Sequence, residues 1–192
     1  MVFEIFTPRL LLRKLSKDDS PAMFDYRSDP EVVRYQNWDV RSIREIDDFI
    51  EEQSHIDPDT PGTWFQLAIV LKDGNQLIGD CGIHFFPDNI LQAEIGCSLS
   101  PKFQGRGFAS EALESVFSFL FETLGKHRVT ASADSRNKAS IELMERIGMR
   151  REAHFRLSYW CKGEWTDDII YAMLDEDWNN RVRQVQKGGD HD

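Results

Sequence analysis

The sequence predicts an α+β domain, layered as α/β, in which helices pack on a mixed, mostly antiparallel sheet of about seven strands. Three observations predict it. Strand-like runs fill the centre of the chain from Trp64 to Leu99 and return after Gly148. Helical patterns stand between several of these runs. The clearest helix keeps the i, i+3, i+4, i+7 spacing through Ala109, Ala112, Leu113, Val116, Phe117, Leu120, Phe121 and Leu124. No linker or internal repeat divides the 192 residues. One domain is therefore expected over residues 1–178, with 179–192 a polar, flexible tail.

Each element has a local cause. Arg9 to Leu15 reads as the first strand, and Asp18 to Ser28 and Pro30 to Tyr35 as short helices. Ser42 to His55 reads as a helix, with Ser42 as N-cap and Glu45 at capping-box spacing. Pro58 to Gly62 is a loop. Trp64 to Leu71 and Gln76 to Phe86 are strands joined by the turn Asp73-Gly74-Asn75. Leu91 to Leu99 is the next strand, closing at Pro101. Gly125 ends the long helix. Val129 to Asp134 is a strand and Lys138 to Ile147 a helix stopped by Gly148. Arg151 to Lys162 and Thr166 to Leu174 are two further strands separated by Gly163.

Composition excludes several classes. Hydrophobic residues make up 41% of the chain, enough for a core, and no run approaches the roughly 20 apolar residues of a membrane span. The N-terminus lacks a basic patch followed by an apolar stretch, so no secretory leader is expected. Cys81, Cys97 and Cys161 are scattered and form no CxxC pair. This argues against a disulfide framework or a zinc site and for a reducing cytoplasm. The net charge is −10, yet residues 100–151 hold nine basic and six acidic side chains, leaving 14 against 27 elsewhere. Nucleic acid is a poor partner for so acidic a chain. An anionic ligand at the central segment and a cationic one near the rest fit better.

That segment opens with Gln104-Gly105-Arg106-Gly107-Phe108-Ala109, between a strand and the long helix. A glycine-containing turn at a helix start leaves backbone N–H groups unpaired beside the positive end of the helix dipole, a site for an anion. The string G-x-x-x-x-G-K-[ST] does not occur, and the G-x-G-x-x-G fingerprint with its later acidic residue is not met. The hexapeptide does fit Q/R-x-x-G-x-G/A at every position.

This loop resembles the pyrophosphate loop of the GCN5-related N-acetyltransferases, the GNAT superfamily. A second segment, Asn137-Lys138-Ala139-Ser140-Ile141-Glu142-Leu143-Met144-Glu145-Arg146-Ile147-Gly148-Met149, resembles the family's N-x-x-S-x-x-L-x-x-x-x-G-F/M run. Thr7-Pro8-Arg9-Leu10-Leu11-Leu12-Arg13, Ala93-Glu94-Ile95-Gly96 and Gly163-Glu164-Trp165-Thr166-Asp167, with Tyr171 and Trp178, resemble the RimJ/RimL-type branch, which includes ribosomal-protein-alanine acetyltransferases. The likeness spans residues 7 to 178. It implies a central sheet with helices on both faces, acetyl-CoA as cosubstrate without a metal, and an amine acceptor. That acceptor is a protein N-terminus or a small cationic amine, and the chain a monomer or homodimer. Two departures stand out. Glu152-Ala153 replaces the branch's Glu-Gly, and the helix after Asn137 lacks the tyrosine that serves other members as general acid. The leaving-group acid is thus open.

Acetyl transfer to an amine requires a held thioester, a polarised carbonyl, a deprotonated ammonium and a stabilised thiolate. Gln104, Gly105, Arg106, Gly107, Phe108 and Ala109 are the candidates for the pyrophosphate. Gly107 permits close backbone approach and Arg106 adds a cation. The resemblance implies that the backbone of Cys97, Ser98 and Leu99 pairs with pantetheine as an added strand would, with Leu99 N–H near the thioester oxygen. Asn137 stands where an N-cap should stand; the resemblance adds a pantetheine contact. Ser140 is either a cofactor and thiolate partner or a plain helix serine. Glu94 is the candidate general base, on a strand face otherwise lined by Gly96 and Ser98. Its ordinary alternative is a glutamate paired with an arginine. Tyr35 and Trp38 are candidate acceptor contacts, while Trp64, Tyr159 and Trp160 read as packing. His55 and His84 have no ligand-spaced partners. Asp167 and Asp168 either guide a cationic acceptor or, as the ordinary reading, form a turn or solvated pair. Cys97 would allow an acyl-cysteine route, but no histidine adjoins it in sequence. A non-catalytic acyl-CoA-binding sensor would keep the loop and tolerate loss of Glu94.

Overall fold

The computed structural model describes residues 3–188. Eight strands form one sheet. β1 (Glu4–Phe6), β2 (Leu10–Lys14), β3 (Trp64–Leu71), β4 (Gln76–Phe85) and β5 (Gln92–Leu99) follow one another as antiparallel neighbours. β6 (Arg128–Asp134) joins β5 in parallel, and β8 (Glu164–Leu174) then lies between β6 and the edge strand β7 (Arg150–Cys161). The helices are α1 (Ser20–Arg27), α2 (Pro30–Val33), α3 (Ile43–Ser54), α4 (Phe108–Ser118), α5 (Lys138–Arg146) and α6 (Asp175–Gly188).

Most elements stand where local pattern puts them, and β3 matches residue for residue. Ser42 caps α3 by accepting the Glu45 N–H at 3.4 Å. The Glu45 carboxylate accepts from Arg41 N–H at 3.2 Å, one residue earlier than a capping box requires. β1 is the strand beyond the expected seven; three residues carry no readable alternation. The long helix continues past α4 as a π-type turn, Phe119–Thr123, before Gly125 takes φ +64° and ends it.

Residues 179–188 are helical where a polar tail was expected; residues 189–192 lie outside the described residues. One aromatic anchors this helix. Trp178 is buried against Phe117 and Phe121 and donates from Nε1 to Glu122 at 2.8 Å. Arg181 pairs with Glu114 at 2.7 Å, and Asp175, Glu176 and Asp177 meet the positive end of the helix dipole.

The sheet buries both faces. On one, Leu10, Leu67, Ile83, Ile95 and Val129 pack under Leu113, Phe117 and Met144 of α4 and α5. On the other, Ala68, Val70 and Leu77 pack under Met23, Ile46 and Ile50 of α1 and α3. A bulge in the β3–β4 ladder lies beside Gly79, which faces Leu99 across β4–β5. A Cβ at Gly79 would strike the Ser98 carbonyl oxygen and come within 2.5 Å of Leu99 Cδ2. Gly79→Ala must therefore push β5 outward, at a cost of about 1–3 kcal/mol. Urea unfolding should show a lowered midpoint; a parental midpoint would mean that the two strands separate freely.

Candidate active site

The site begins where β5 and β6 part. They pair in only three positions, Gln92–Arg128, Ala93–Val129 and Glu94–Thr130, and then diverge. β5 remains paired to β4 along its other edge as far as Leu99. Ser100 N–H donates to Ile78 C=O, so the alternation turns the backbone groups of even residues, Ser98 among them, toward β4. The N–H and C=O groups of Cys97 and Leu99 face the gap instead. Gln104 Nε2 donates to Leu99 C=O at 2.9 Å; no described strand continues the ladder here. Ile95, Gly96 and Cys97 line one wall of a cavity of about 50 Å³, Ala131 and Ser132 the other, and Ser140 and Met144 its end.

The glycine turn lies just past Leu99. Gly105 and Gly107 have φ of +73° and +78°, a region L side chains rarely adopt, and Gly107 is the N-cap of α4. The first helical bond runs from Glu111 N–H to Gly107 C=O at 3.1 Å, so the N–H groups of Phe108, Ala109 and Ser110 precede it. The two glycines and Arg106 are exposed, while the Phe108 ring is in the core and offers the loop only its backbone. Gln104 is spent on Leu99. It ties the turn to β5 rather than pointing outward. The Ser110 hydroxyl, in the first turn, is buried without a partner among the described residues.

Asn137 caps α5: its Oδ1 accepts the Ser140 N–H at 3.2 Å. Its side-chain NH₂ has no bond among the described residues. Ser140 lines the cavity. Cys97 also lines it, but burial first, then the Asp80 charge, pushes its thiol up to about 12.

Glu94 is the last residue of β5 paired to β6 and marks the fork of the gap. Its side chain lies on the α1–α3 face with Gly96 and Ser98. It is half-buried and has no ion-pair partner among the described residues. Burial, then the charge of Asp168, raises its carboxyl above the ordinary glutamate range. Asp168 is raised in turn, by burial and then by Asp134. Asp134 is held low by Arg136, at 2.7 Å. Asp167 lies within β8 and supports the bulge of β7 between Phe155 and Tyr159, accepting Leu157 N–H at 2.9 Å beside His154. Asp168 faces the opposite way, toward Asp134 of β6, so the two do not form a pair.

Tyr35 and Trp38 follow α2 on the same face. Tyr35 lies between the guanidinium groups of Arg34 and Arg136, 5.5 and 5.8 Å from its ring, so it looks across to the turn before α5. Trp38 packs against Phe49 with ring centroids 4.6 Å apart and planes tilted by 49°, and lies under Arg27 at 4.8 Å, which makes it a support of the wall. Arg27 is buried against Asp80, which also accepts from Tyr26 and Gln66. Arg27 Nη1 donates to Gln36 Oε1 at 2.6 Å, and Gln36 Nε2 to Ser98 Oγ at 3.0 Å. The Ser98 side chain is therefore committed to this network. Removing one member of the Arg27–Asp80 pair would leave a buried charge uncompensated. Asn37 and Asp39 tie the wall to Trp160 C=O and Lys162 of the β7–β8 hairpin.

One contributor is not legible in the sequence. Arg9 reads only as part of a strand and motif, but its guanidinium lies on the glycine turn and on Phe108. Trp64 stacks on His84 at 5.0 Å and 18°, and His55 approaches Glu51. Among the described residues no His/Cys/Asp/Glu group could hold a metal ion, and no helix is long and apolar enough to cross a membrane.

Known proteins resemble this chain in sequence and fold. Residues 9–150 match the Acetyltransferase (GNAT) domain family. The uncharacterised N-acetyltransferase YnaD of Bacillus subtilis is 31% identical over 91% of this chain and 99% of its own. The [ribosomal protein uS5]-alanine N-acetyltransferase of Escherichia coli is 24% identical over 90% and 91%. The crystal structure of a GNAT-family acetyltransferase from Bacillus anthracis superposes with a TM-score of 0.80 at 30% identity, over 91% and 99% of the two chains. The glycine turn between strand and helix, the parted strands and these matches agree: the chain belongs to the GNAT family of acetyltransferases.

Proposed function

We propose that the chain transfers the acetyl group of acetyl-CoA to a primary amine by direct attack within a ternary complex, as a RimJ/RimL-type enzyme of the cytoplasm. The observation that carries this reading is the gap between β5 and β6. It leaves the N–H and C=O of Cys97 and the N–H of Leu99 without a ladder partner, an unfavourable state unless an extended ligand pairs with them. Pantetheine supplies such groups, and its pyrophosphate reaches the turn Gly105–Ala109. Bound there, acetyl-CoA supplies an acyl group on a good leaving thiol. Asn137 offers its free NH₂ to the pantetheine arm, and the N–H groups of Cys97 and Leu99 are the backbone donors along β5.

The acceptor enters from the α1–α3 face, between Tyr35 and the hairpin, where Glu94 and Asp168 are the unpaired charges. An amine with a pKa near 10 arrives protonated. Glu94 takes that proton, directly or through a water, and its raised pKa suits it to the task. Ser140, at the end of the cavity, is the candidate hydroxyl for the departing thiolate. A thiol held near 12 is a poor nucleophile at neutral pH, which favours direct attack over an acyl-Cys97 intermediate. The uS5-alanine relative favours a protein N-terminus, and the two carboxylates favour a cationic amine of either origin.

The test is thiol release from acetyl-CoA with a panel of N-terminal peptides, polyamines and amino acids. Release with at least one amine is expected. Acetyl-CoA stabilises the fold under this reading and for a sensor alike, by about 2.7 kcal/mol at a hundredfold excess over Kd, and so raises the melting temperature in both cases. Thermal stabilisation without release across the panel would make the chain a sensor.

A further inference from the structure

Glu111 poses a problem for the donor site. It sits in the first turn of α4, where a carboxylate close to the glycine turn repels the anion that the turn is read as holding. Its charge is retained: burial opposes ionisation, but hydrogen bonds from Thr7 and Arg9 hold the carboxyl below the usual range. Thr7 Oγ1 donates to Oε1 at 2.6 Å, Arg9 N–H to Oε1 at 2.8 Å and Arg9 Nε to Oε2 at 2.6 Å.

The rest of the Arg9 guanidinium is directed at the turn. Nη1 donates to the Arg106 carbonyl oxygen at 3.1 Å, and the group lies 4.4 Å from the Phe108 ring centroid. Nη2 is 3.5 Å from where a Cβ on Gly107 would stand. The Arg106 carbonyl and the Gly107 N–H belong to one trans peptide unit and point in opposite directions. Drawing the carbonyl toward Arg9 turns the Gly107 N–H outward.

We propose that Arg9 is a positioning residue of the donor site: it cancels the Glu111 charge and fixes the peptide between Arg106 and Gly107 with its N–H toward the pyrophosphate. This rests on the reading of Gly105–Ala109 as the pyrophosphate loop. Thr7 and Glu111 complete a clamp that joins the start of β2 to the start of α4, 102 residues apart in the chain.

Acetyl-CoA affinity of Arg9→Gln and of the double variant Arg9→Gln/Glu111→Gln, titrated at low and high salt, tests it. Arg9→Gln should weaken binding about tenfold at low salt and less at high salt, where the stray carboxylate is screened. The double variant should regain several-fold of that loss. Acceptor KM at saturating acetyl-CoA should stay at the parental value. Lost thermal stability with an unchanged Kd would reduce Arg9 to a fold clamp and overturn the proposal, as would a double variant no tighter than Arg9→Gln. Gly107→Val separates the two levels. If that variant binds normally, the loop reading itself fails; if it does not bind while Arg9→Gln does, only the role of Arg9 fails.

Discussion

Gly107→Val is expected to abolish acetyl-CoA binding, with Kd raised more than about a hundredfold in a calorimetric titration. The cause is conformational. Gly107 holds φ at +78°, where a β-branched side chain costs more than the roughly 1–2 kcal/mol of an ordinary L residue. The chain relieves that strain by abandoning the turn, and the N–H groups at the start of α4 lose their common direction. Overcrowding is not the cause, since the nearest heavy atom to a Cβ there is Arg9 Nη2 at 3.5 Å. The turn is exposed and outside both cores, so the folded state persists and its melting temperature without ligand changes by only a few degrees. Retained affinity would mean that the donor binds elsewhere.

Glu94→Gln has the second large effect. Turnover should fall by about 10²–10⁴-fold, the range for removal of a general base, while acetyl-CoA affinity should stay near the parental value. The separation is geometric. The Glu94 side chain is at the fork of the gap on the α1–α3 face, whereas the glycine turn lies beyond the far end of β5. The pH profile carries the sharper signature. Glu94 works as the carboxylate, so kcat/KM for the amine rises with pH through its pKa. Burial and then Asp168 raise that pKa, so the limb lies above the ordinary glutamate range. Asp168→Asn removes the second cause and leaves the first, so the limb should move to lower pH without reaching the unperturbed position. An identical limb in Glu94→Gln would remove Glu94 from the role; an unmoved limb in Asp168→Asn would mean that the two carboxylates do not sense each other.

What the sequence discloses is what is local. The left-handed glycines of the turn, the cap at Asn137, the 3.6-residue spacing of the long helix and the whole of β3 depend on neighbours within a few positions. The gap is different. Residues 95–99 carry the same alternation whether or not a strand lies beside them, and the partner that departs is β6, some 36 positions away. Asp167 and Asp168 differ only in parity along β8, and parity means nothing until the register with β6 is known. Trp38 was legible as an aromatic in the acceptor wall, but not as a ring held by Arg27 and Phe49. The helix after residue 178 was obscured because polar composition outweighs a single buried tryptophan.

The three-position pairing of β5 with β6 also bears on mechanics. Each flanking ladder, β4–β5 and β6–β8, has seven positions. In hydrogen-bond terms the sheet is two panels joined along a short seam, with the apolar layer beneath α4 and α5 as backing. On the proposed reading, the donor laid into the open part of that seam is a removable strut. The ladder becomes continuous when the strut is in and relaxes each time the spent thiol leaves, so every turnover stiffens and then softens the middle of the molecule.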